Sequence, residues 1–319
     1  MPGTRSYAAE NFALVLDGAQ CGFVRSAGGG DTVADVIEEA VGASYVVKKH
    51  LGPPYAEAIV LEIGFGMAKA VYDWIAASWK MNYARKDGAI VAGDSNLKAK
   101  SERQFFNALL TETTVPALDA SSKEAAYLTI KLSPEYTKTR KGAGKLVAPA
   151  KQQMLFLPSN FRLELDGVDC SRVTRIDAFT VRQHVVADEI GDARDYVKEP
   201  GKLEFPNLRV TLAETGAATW EAWFEDFVVK GDNDDAKEKS GAIVFLAPDL
   251  KRELGRVELF DVGIFALRRA AQQAHDESVR RVTAELYCER MELQAAGAGA
   301  GAKVETARVR ATTETPLHR

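Results

Sequence analysis

The residue types able to carry chemistry are few and scattered. The three cysteines, Cys21, Cys170 and Cys288, form no C-x-x-C pair, so neither a zinc knuckle nor a disulfide framework can be built from them. Cys21 and Cys170 occupy equivalent places in a repeat described below, on strand-patterned segments, which favours packing over nucleophilic catalysis. Cys288 has no neighbouring base. The four histidines, His50, His184, His275 and His318, lack metal-ligand spacing. Gly64-Phe65-Gly66 stands between a strand-like run and a helical one, as a dinucleotide-binding turn does, but the third glycine is missing. It reads as a tight strand-to-helix turn. Gly144-Lys145 lacks the rest of a phosphate-binding loop, and the acidic run Asp232 to Asp235 reads as a solvated loop. The expectation is therefore no catalytic residue, no metal, no cofactor and no enzyme.

Composition narrows the classes further. The chain has 319 residues, 46% apolar and 27% charged, enough for two cores. With 41 basic against 45 acidic residues the net charge is -4, which argues against a nucleic-acid coat and against sequence-specific nucleic-acid binding. No apolar run approaches the ~18 residues of a membrane span. The N-terminus lacks a basic start followed by an apolar block, so the expected site of synthesis is the cytoplasm, without a signal peptide.

The organising feature is an internal repeat. Asn11-Phe-Ala-Leu-Val-Leu-Asp-Gly-Ala-Gln-Cys21 matches Asn160-Phe-Arg-Leu-Glu-Leu-Asp-Gly-Val-Asp-Cys170 at seven of eleven positions, 149 residues apart. The offset carries Gly52 onto Gly201, Val71 onto Trp220 and Trp74 onto Trp223. Gly88-Ala-Ile-Val91 then matches Gly241-Ala-Ile-Val244 at 153, as a short loop insertion would produce. The expected division is a first domain over 1–133, a basic, breaker-rich linker over 134–159, a second domain over 160–293, and a flexible Ala/Gly-rich tail over 294–319.

Within each repeat, period-two alternation marks strands. Asn11, Phe12, Leu14 and Leu16 run into Asp17-Gly18, and Asn160, Phe161, Leu163 and Leu165 run into Asp166-Gly167, a hairpin signature in both. Second strands are expected near 21–25 and 170–176. The polar stretch 27–57 reads as an extended hairpin or surface loop, followed by strands at 58–63 and 208–212. One helix per repeat follows. Trp220, Trp223, Phe224, Phe227 and Val228 share a face at period 3.6, as do Val71, Trp74, Ile75, Ser78 and Trp79. Trp74, Trp79, Trp220, Trp223 and Phe224 are the expected helix core. The remaining third of each repeat is strand-like. The fold class is mainly β (α+β): two tandem antiparallel sheets or barrels, each with one flanking helix, with too few helices for a Rossmann arrangement.

Three blocks resemble the tail-tube (inner-tube) proteins of contractile phage tails and related injection systems. They are Phe105-Phe-Asn-Ala108, Pro116-Ala-Leu-Asp-Ala-Ser-Ser-Lys-Glu124 with Tyr127-Leu-Thr-Ile-Lys-Leu132, and Pro200-Gly-Lys-Leu-Glu-Phe-Pro-Asn-Leu-Arg-Val-Thr-Leu212 before the Trp-bearing helix. The second repeat has Gln272-Gln-Ala-His-Asp-Glu-Ser278 in place of the Leu-Asp-Ala-Ser-Ser block, and two tube domains in one chain depart from the usual single one. The resemblance implies a sixfold or pseudo-sixfold ring around a lumen, stacked by extended loops inside a sheath. It leaves open a tube, tube-initiator or hub/adaptor layer. The implied partners are other copies of the chain, neighbouring tube, sheath or baseplate/spike proteins and possible cargo in the lumen. Lys48, Lys49, Gly52, Pro53, Lys198, Pro200 and Gly201 are candidate contacts between subunits or rings. Divergence of the repeats favours three chains per ring over six. The rival readings are a tandem β-domain receptor- or carbohydrate-binding module and an unrecognised enzyme.

Overall fold

The computed structural model describes residues 11–40, 47–148, 156–188, 197–270 and 280–295. The first half contains β1 (Asn11–Leu16), β2 (Ala19–Val24), β3 (Ser26–Gly29), β4 (Thr32–Ala40), β5 (Val47–Ala56) and β6 (Ile59–Ile63). Helix α1 (Lys69–Trp79) follows, then β7 (Lys86–Gly93), β8 (Ala99–Val115), β9 (Leu118–Asp119), β10 (Leu128–Ser133) and β11 (Tyr136–Lys141). The second half contains β12 (Phe161–Leu165), β13 (Val173–Ile176), β14 (Phe179–Asp188), β15 (Val197–Glu204), β16 (Leu208–Ala213), helix α2 (Ala218–Phe224), β17 (Lys239–Leu246), β18 (Glu253–Arg269) and β19 (Arg281–Ala295). All paired strands run antiparallel. The fold is mainly β with few helices.

The pairings recur between the halves. β1–β7–β8–β10–β6–β3 in the first has its counterpart in β12–β17–β18–β19–β16–β13 in the second. The irregularities recur too. Asn107 and Asp261, 154 residues apart, both take a positive φ, as do Leu97 and Leu250. Gly88 and Gly241 explain why Gly-Ala-Ile-Val is kept. A Cβ at Gly88 would lie 2.3 Å from the Val15 carbonyl oxygen, and one at Gly241 2.1 Å from that of Glu164, because the neighbouring strand crosses there without room for a side chain.

Alternation places the core. Ile59, Leu61 and Ile63 on β6, Leu208, Val210 and Leu212 on β16, and Leu128, Ile130 and Leu132 on β10 are all buried. One apolar cluster takes residues from both halves. Phe65, Phe156 and Phe245 meet at its centre, with ring centroids 5.0–5.4 Å apart.

The structure departs from the sequence reading at three places. The stretch 134–159 is no simple linker. Tyr136–Lys141 forms β11 on β8, Leu146 is buried, and Phe156 enters the core. Thr137 and Thr139 give this stretch strand character that its lysines and glycines mask. β10 and β11 together correspond to the single long β19, interrupted where Pro134 removes a backbone donor. The Asp17-Gly18 turn, with both residues at positive φ, closes the hairpin β1–β2, whereas the second repeat has only the isolated bridge Leu165↔Val168. There the Asp169 carbonyl accepts from Trp220 Nε1 and its amide donates to Thr219, so α2 engages the backbone that would have paired, and β13 starts only at Val173. Finally, Gln294 and Ala295 belong to β19, and the rest of the expected tail lies outside the described residues.

Candidate functional site

The residues with chemical potential are placed apart from one another. Cys21 and Cys288 are buried, and burial pushes the thiols of Cys170 and Cys288 up to about 12 and about 11, so they stay protonated at neutral pH. His50 is exposed on β5, and His184 pairs with Glu204 at 3.0 Å. His275 and His318 lie outside the described residues. Among the described residues no three His, Cys, Asp or Glu side chains are grouped to hold a metal. Gly64 and Gly66 lie in the turn between β6 and α1, where the Gly64 carbonyl accepts from the Tyr72 hydroxyl at 2.7 Å. We expect no nucleotide to bind there: thermal melts with and without millimolar ATP or NAD should coincide, and a nucleotide-dependent rise in Tm would overturn this.

The helices take the aromatic residues as follows. Trp74, Trp79, Trp220 and Trp223 are buried, while Phe224 is half-buried. α1 is held by its buried face, Val71, Trp74, Ile75, Ser78 and Trp79, and ends where Met81 takes a positive φ. α2 continues as a π turn over Glu225–Val229, which carries Phe227 inward and leaves Val228 39% and Val229 60% exposed. Of the repeat signature, Leu14, Leu16, Asn160, Leu163 and Leu165 are buried; Asn11, Phe12 and Phe161 are half-buried; Asp17, Gly18, Asp166 and Gly167 form the turns.

What the structure does bring together is a joint between the halves. The hairpin β14–β15 of the second repeat lies along β8 of the first: Phe179↔Val115, Thr180↔Thr114, Val181↔Thr113 and Arg182↔Glu112. Phe179, Val181, Thr113 and Val115 are buried there, and the Thr114 and Thr180 hydroxyls share a hydrogen bond of 2.8 Å. A strand edge closed in this way exposes no unpaired backbone. β9 in turn extends the second repeat's sheet by pairing with β13. This is the Leu-Asp-Ala-Ser-Ser block. Leu118 is buried, and the Arg175 guanidinium donates to Asp119 at 2.9 Å. Hydrogen bonds from the Ser121 hydroxyl and amide, with Arg175 behind them, hold the Asp119 carboxyl below its ordinary value.

Further contacts cross the joint at one end. Arg85 donates to the Lys198 carbonyl at 2.7 Å and pairs with Glu199 at 2.8 Å. The Lys198 ammonium donates to Ser133 Oγ at 3.0 Å, and its amide to Glu135 at 3.3 Å. Burial lowers the ammonium's pKa, with Glu135 opposing. At the end of α1, Trp79 meets Phe205 edge-on at 6.5 Å, and Lys80, which caps the helix, pairs with Glu292 at 2.7 Å.

The candidate contact residues thus fall into two groups. Lys198, Pro200 and Gly201 belong to the hairpin inside the joint, with the Gly201 carbonyl accepting from Gln183 at 2.6 Å. Lys48, Lys49, Gly52 and Pro53 lie on β5, whose hairpin with β4 pairs with no third strand among the described residues. Sequence reasoning missed Asp119, Arg175, Arg85 and the edge of β8. The one available signal was that the Leu-Asp-Ala-Ser-Ser block occurs in only one repeat.

The family model described as T4-like virus tail tube protein gp19 matches residues 9–138. No curated protein matches the chain. Among solved structures, the tube-terminating cap of the anti-feeding prophage is 27% identical over 44% of this chain and 95% of that one, with a TM-score of 0.39. The sheath-tube complex of the PVC extracellular contractile injection system is 22% identical over 43% and 93%, with a TM-score of 0.38. The sheath/tube terminator of the same system is 23% identical over 43% and 98%, at 0.37. The chain resembles the tail-tube family, and residues 9–138 carry the match.

Proposed function

We propose that this chain is a non-enzymatic, ring-forming layer of the inner tube of a contractile tail or injection particle, with two tube-type domains per chain. The family match over 9–138 supports a structural, tube-type role. The observation that carries the finer reading is the joint itself: the second repeat lays a strand on an open edge of the first, side by side. A lateral joint between unlike repeats favours a ring in which they alternate, three chains supplying six domain positions. The alternative, six chains with each repeat in its own stacked ring, would require each repeat to pair laterally with itself. Among the described residues the edge of β8 over Glu112–Val115 is already taken by β14. The asymmetry of the Asp119–Arg175 clasp, absent from the sequence at the matching place in the second repeat, points the same way. Tube, sheath and baseplate or spike proteins would be the neighbours, and the lumen would pass any cargo.

Native mass spectrometry with negative-stain imaging of the purified chain tests this. Rings of three chains are the expected result. Six chains in two homotypic layers would overturn the alternating arrangement, and a strictly monomeric chain that is also absent from purified particles would overturn the ring reading.

A further inference from the structure

The joint between the halves has two sides, and each repeat carries both. In the closed joint, the second repeat provides the hairpin β14–β15, and the first provides the edge of β8 together with α1. Among the described residues, no further strand pairs with either of the two counterparts. The first repeat's hairpin β4–β5 forms a two-stranded sheet by itself, although isolated two-stranded hairpins are marginal in water. The second repeat's β18 pairs with β19 along one edge, but beyond Val262 no described strand pairs with its other edge, and Phe265 there is 41% exposed. The helix follows suit. Trp79, which meets the other repeat from α1, is 2% exposed, while its counterpart Val228 is 39% exposed.

We infer that the β4–β5 hairpin of one chain adds to the bare edge of β18 in a second copy of the same chain, repeating between molecules the joint that exists within one. This rests on the ring reading above and names its contact. The register follows from the closed joint. Carrying Thr180↔Thr114 and Val181↔Thr113 across the repeat gives Asp31 opposite Arg268 and Thr32 opposite Leu267.

Charge supports this register. The Thr114–Thr180 hydroxyl pair is replaced by a carboxylate, Asp31, facing a guanidinium, Arg268; within the single chain these pair with Arg103 at 2.7 Å and with Glu285 at 3.2 Å, and their side chains remain 61% and 65% exposed. At a second position, where the Lys198 amide donates to Glu135 in the closed joint, the repeat places Lys49 opposite Glu289; these are of opposite sign, and both residues are exposed. Both positions thus set opposite charges across the contact, where the closed joint has a neutral hydroxyl pair and a backbone amide on a carboxylate. Complementary charges at such a contact set partner choice and register, while the backbone ladder gives the affinity, as in strand addition generally.

The contact is head-to-tail, since hairpin and edge are different surfaces. It propagates from chain to chain and either closes into a ring or runs on as a filament. The clasp of the inner joint is not repeated in the sequence: Gln272 and Gln273, which match Leu118 and Asp119, stand in its place, and they lie outside the described residues.

The test is a charge-reversal cycle on the full chain, read by sedimentation velocity, with circular dichroism confirming that each variant is folded. Asp31→Arg and Arg268→Glu should each weaken assembly about tenfold or more, because like charges then face each other. The double variant should recover most of the loss. A second probe does not depend on charge: the Asp31→Cys, Arg268→Cys double variant should form interchain disulfides under mild oxidation, and neither single variant should. If wild-type rings form yet show neither rescue nor the specific crosslink, this contact is wrong and the ring reading stands. If the wild-type chain forms no multimer and enters no particle, both fail.

Discussion

Trp220→Ala is expected to lower the unfolding free energy by roughly 3–5 kcal/mol, the cost of removing a large buried aromatic side chain. The indole is fully buried, packs 6.2 Å from Trp223 between ring centroids, and donates from Nε1 to the Asp169 carbonyl at 2.9 Å. Truncation leaves a cavity and also strips the Asp169 carbonyl of a partner. Trp79→Ala is the informative comparison. Trp79 is 2% exposed, but its Nε1 has no partner among the described residues. Removing that unpaired donor gives back about 1–3 kcal/mol of the loss. Urea melts should therefore rank Trp220→Ala above Trp79→Ala. The reverse order, or a loss below ~1 kcal/mol at Trp220, would show that α2 does not hold the core described.

The second large effect concerns how the halves are coupled. Phe156 lies in the segment joining the repeats and is 1% exposed, with T-shaped contacts to Phe65 at 5.1 Å and Phe245 at 5.4 Å. Phe65 belongs to the first repeat and Phe245 to the second. The wild-type chain should melt in a single transition, because one continuous core spans both repeats. Phe156→Ala should cost roughly 3–5 kcal/mol and drive the tryptophan-fluorescence and far-ultraviolet transitions apart. Coincident transitions with a loss below ~1 kcal/mol would place the coupling elsewhere, in the β8–β14 ladder.

Much of this architecture is legible in the sequence because it is local. The alternation of Leu208, Val210 and Leu212 marks a half-buried strand, and the spacing of Trp220, Trp223 and Phe227 marks a buried helix face. Half-burial of Phe224 and exposure of Val228 were not legible. For Val228 the reason is the π turn over Glu225–Val229, which takes the residues after Phe224 off the α-helical period; Phe224 itself precedes that turn, next to Trp223 at the margin of the buried face. The joint was not legible either, because Thr114 and Thr180 are 66 residues apart and carry no local pattern. Lys198 is among the contact residues that the resemblance implies, but its partners are not legible: Glu135 falls in a stretch whose lysines and glycines read as a linker, and Ser133 stands at the last position before it. Gly88 and Gly241 lay between these extremes: the identity was visible in sequence, and the reason for it, a neighbouring carbonyl, only in the fold.

The continuity of the β8–β14 ladder within one polypeptide also bears on assembly kinetics. Bringing two free bodies together costs an estimated ~4–15 kcal/mol in translational and rotational freedom. A chain that carries two domains already locked edge to edge incurs that cost once per pair of domains rather than once per domain. Its first joint forms at the effective concentration set by the connecting segment, independent of how many copies the cell contains. In the ring proposed above, such a chain would hold two neighbouring positions together at concentrations where single-domain subunits would still be dispersed.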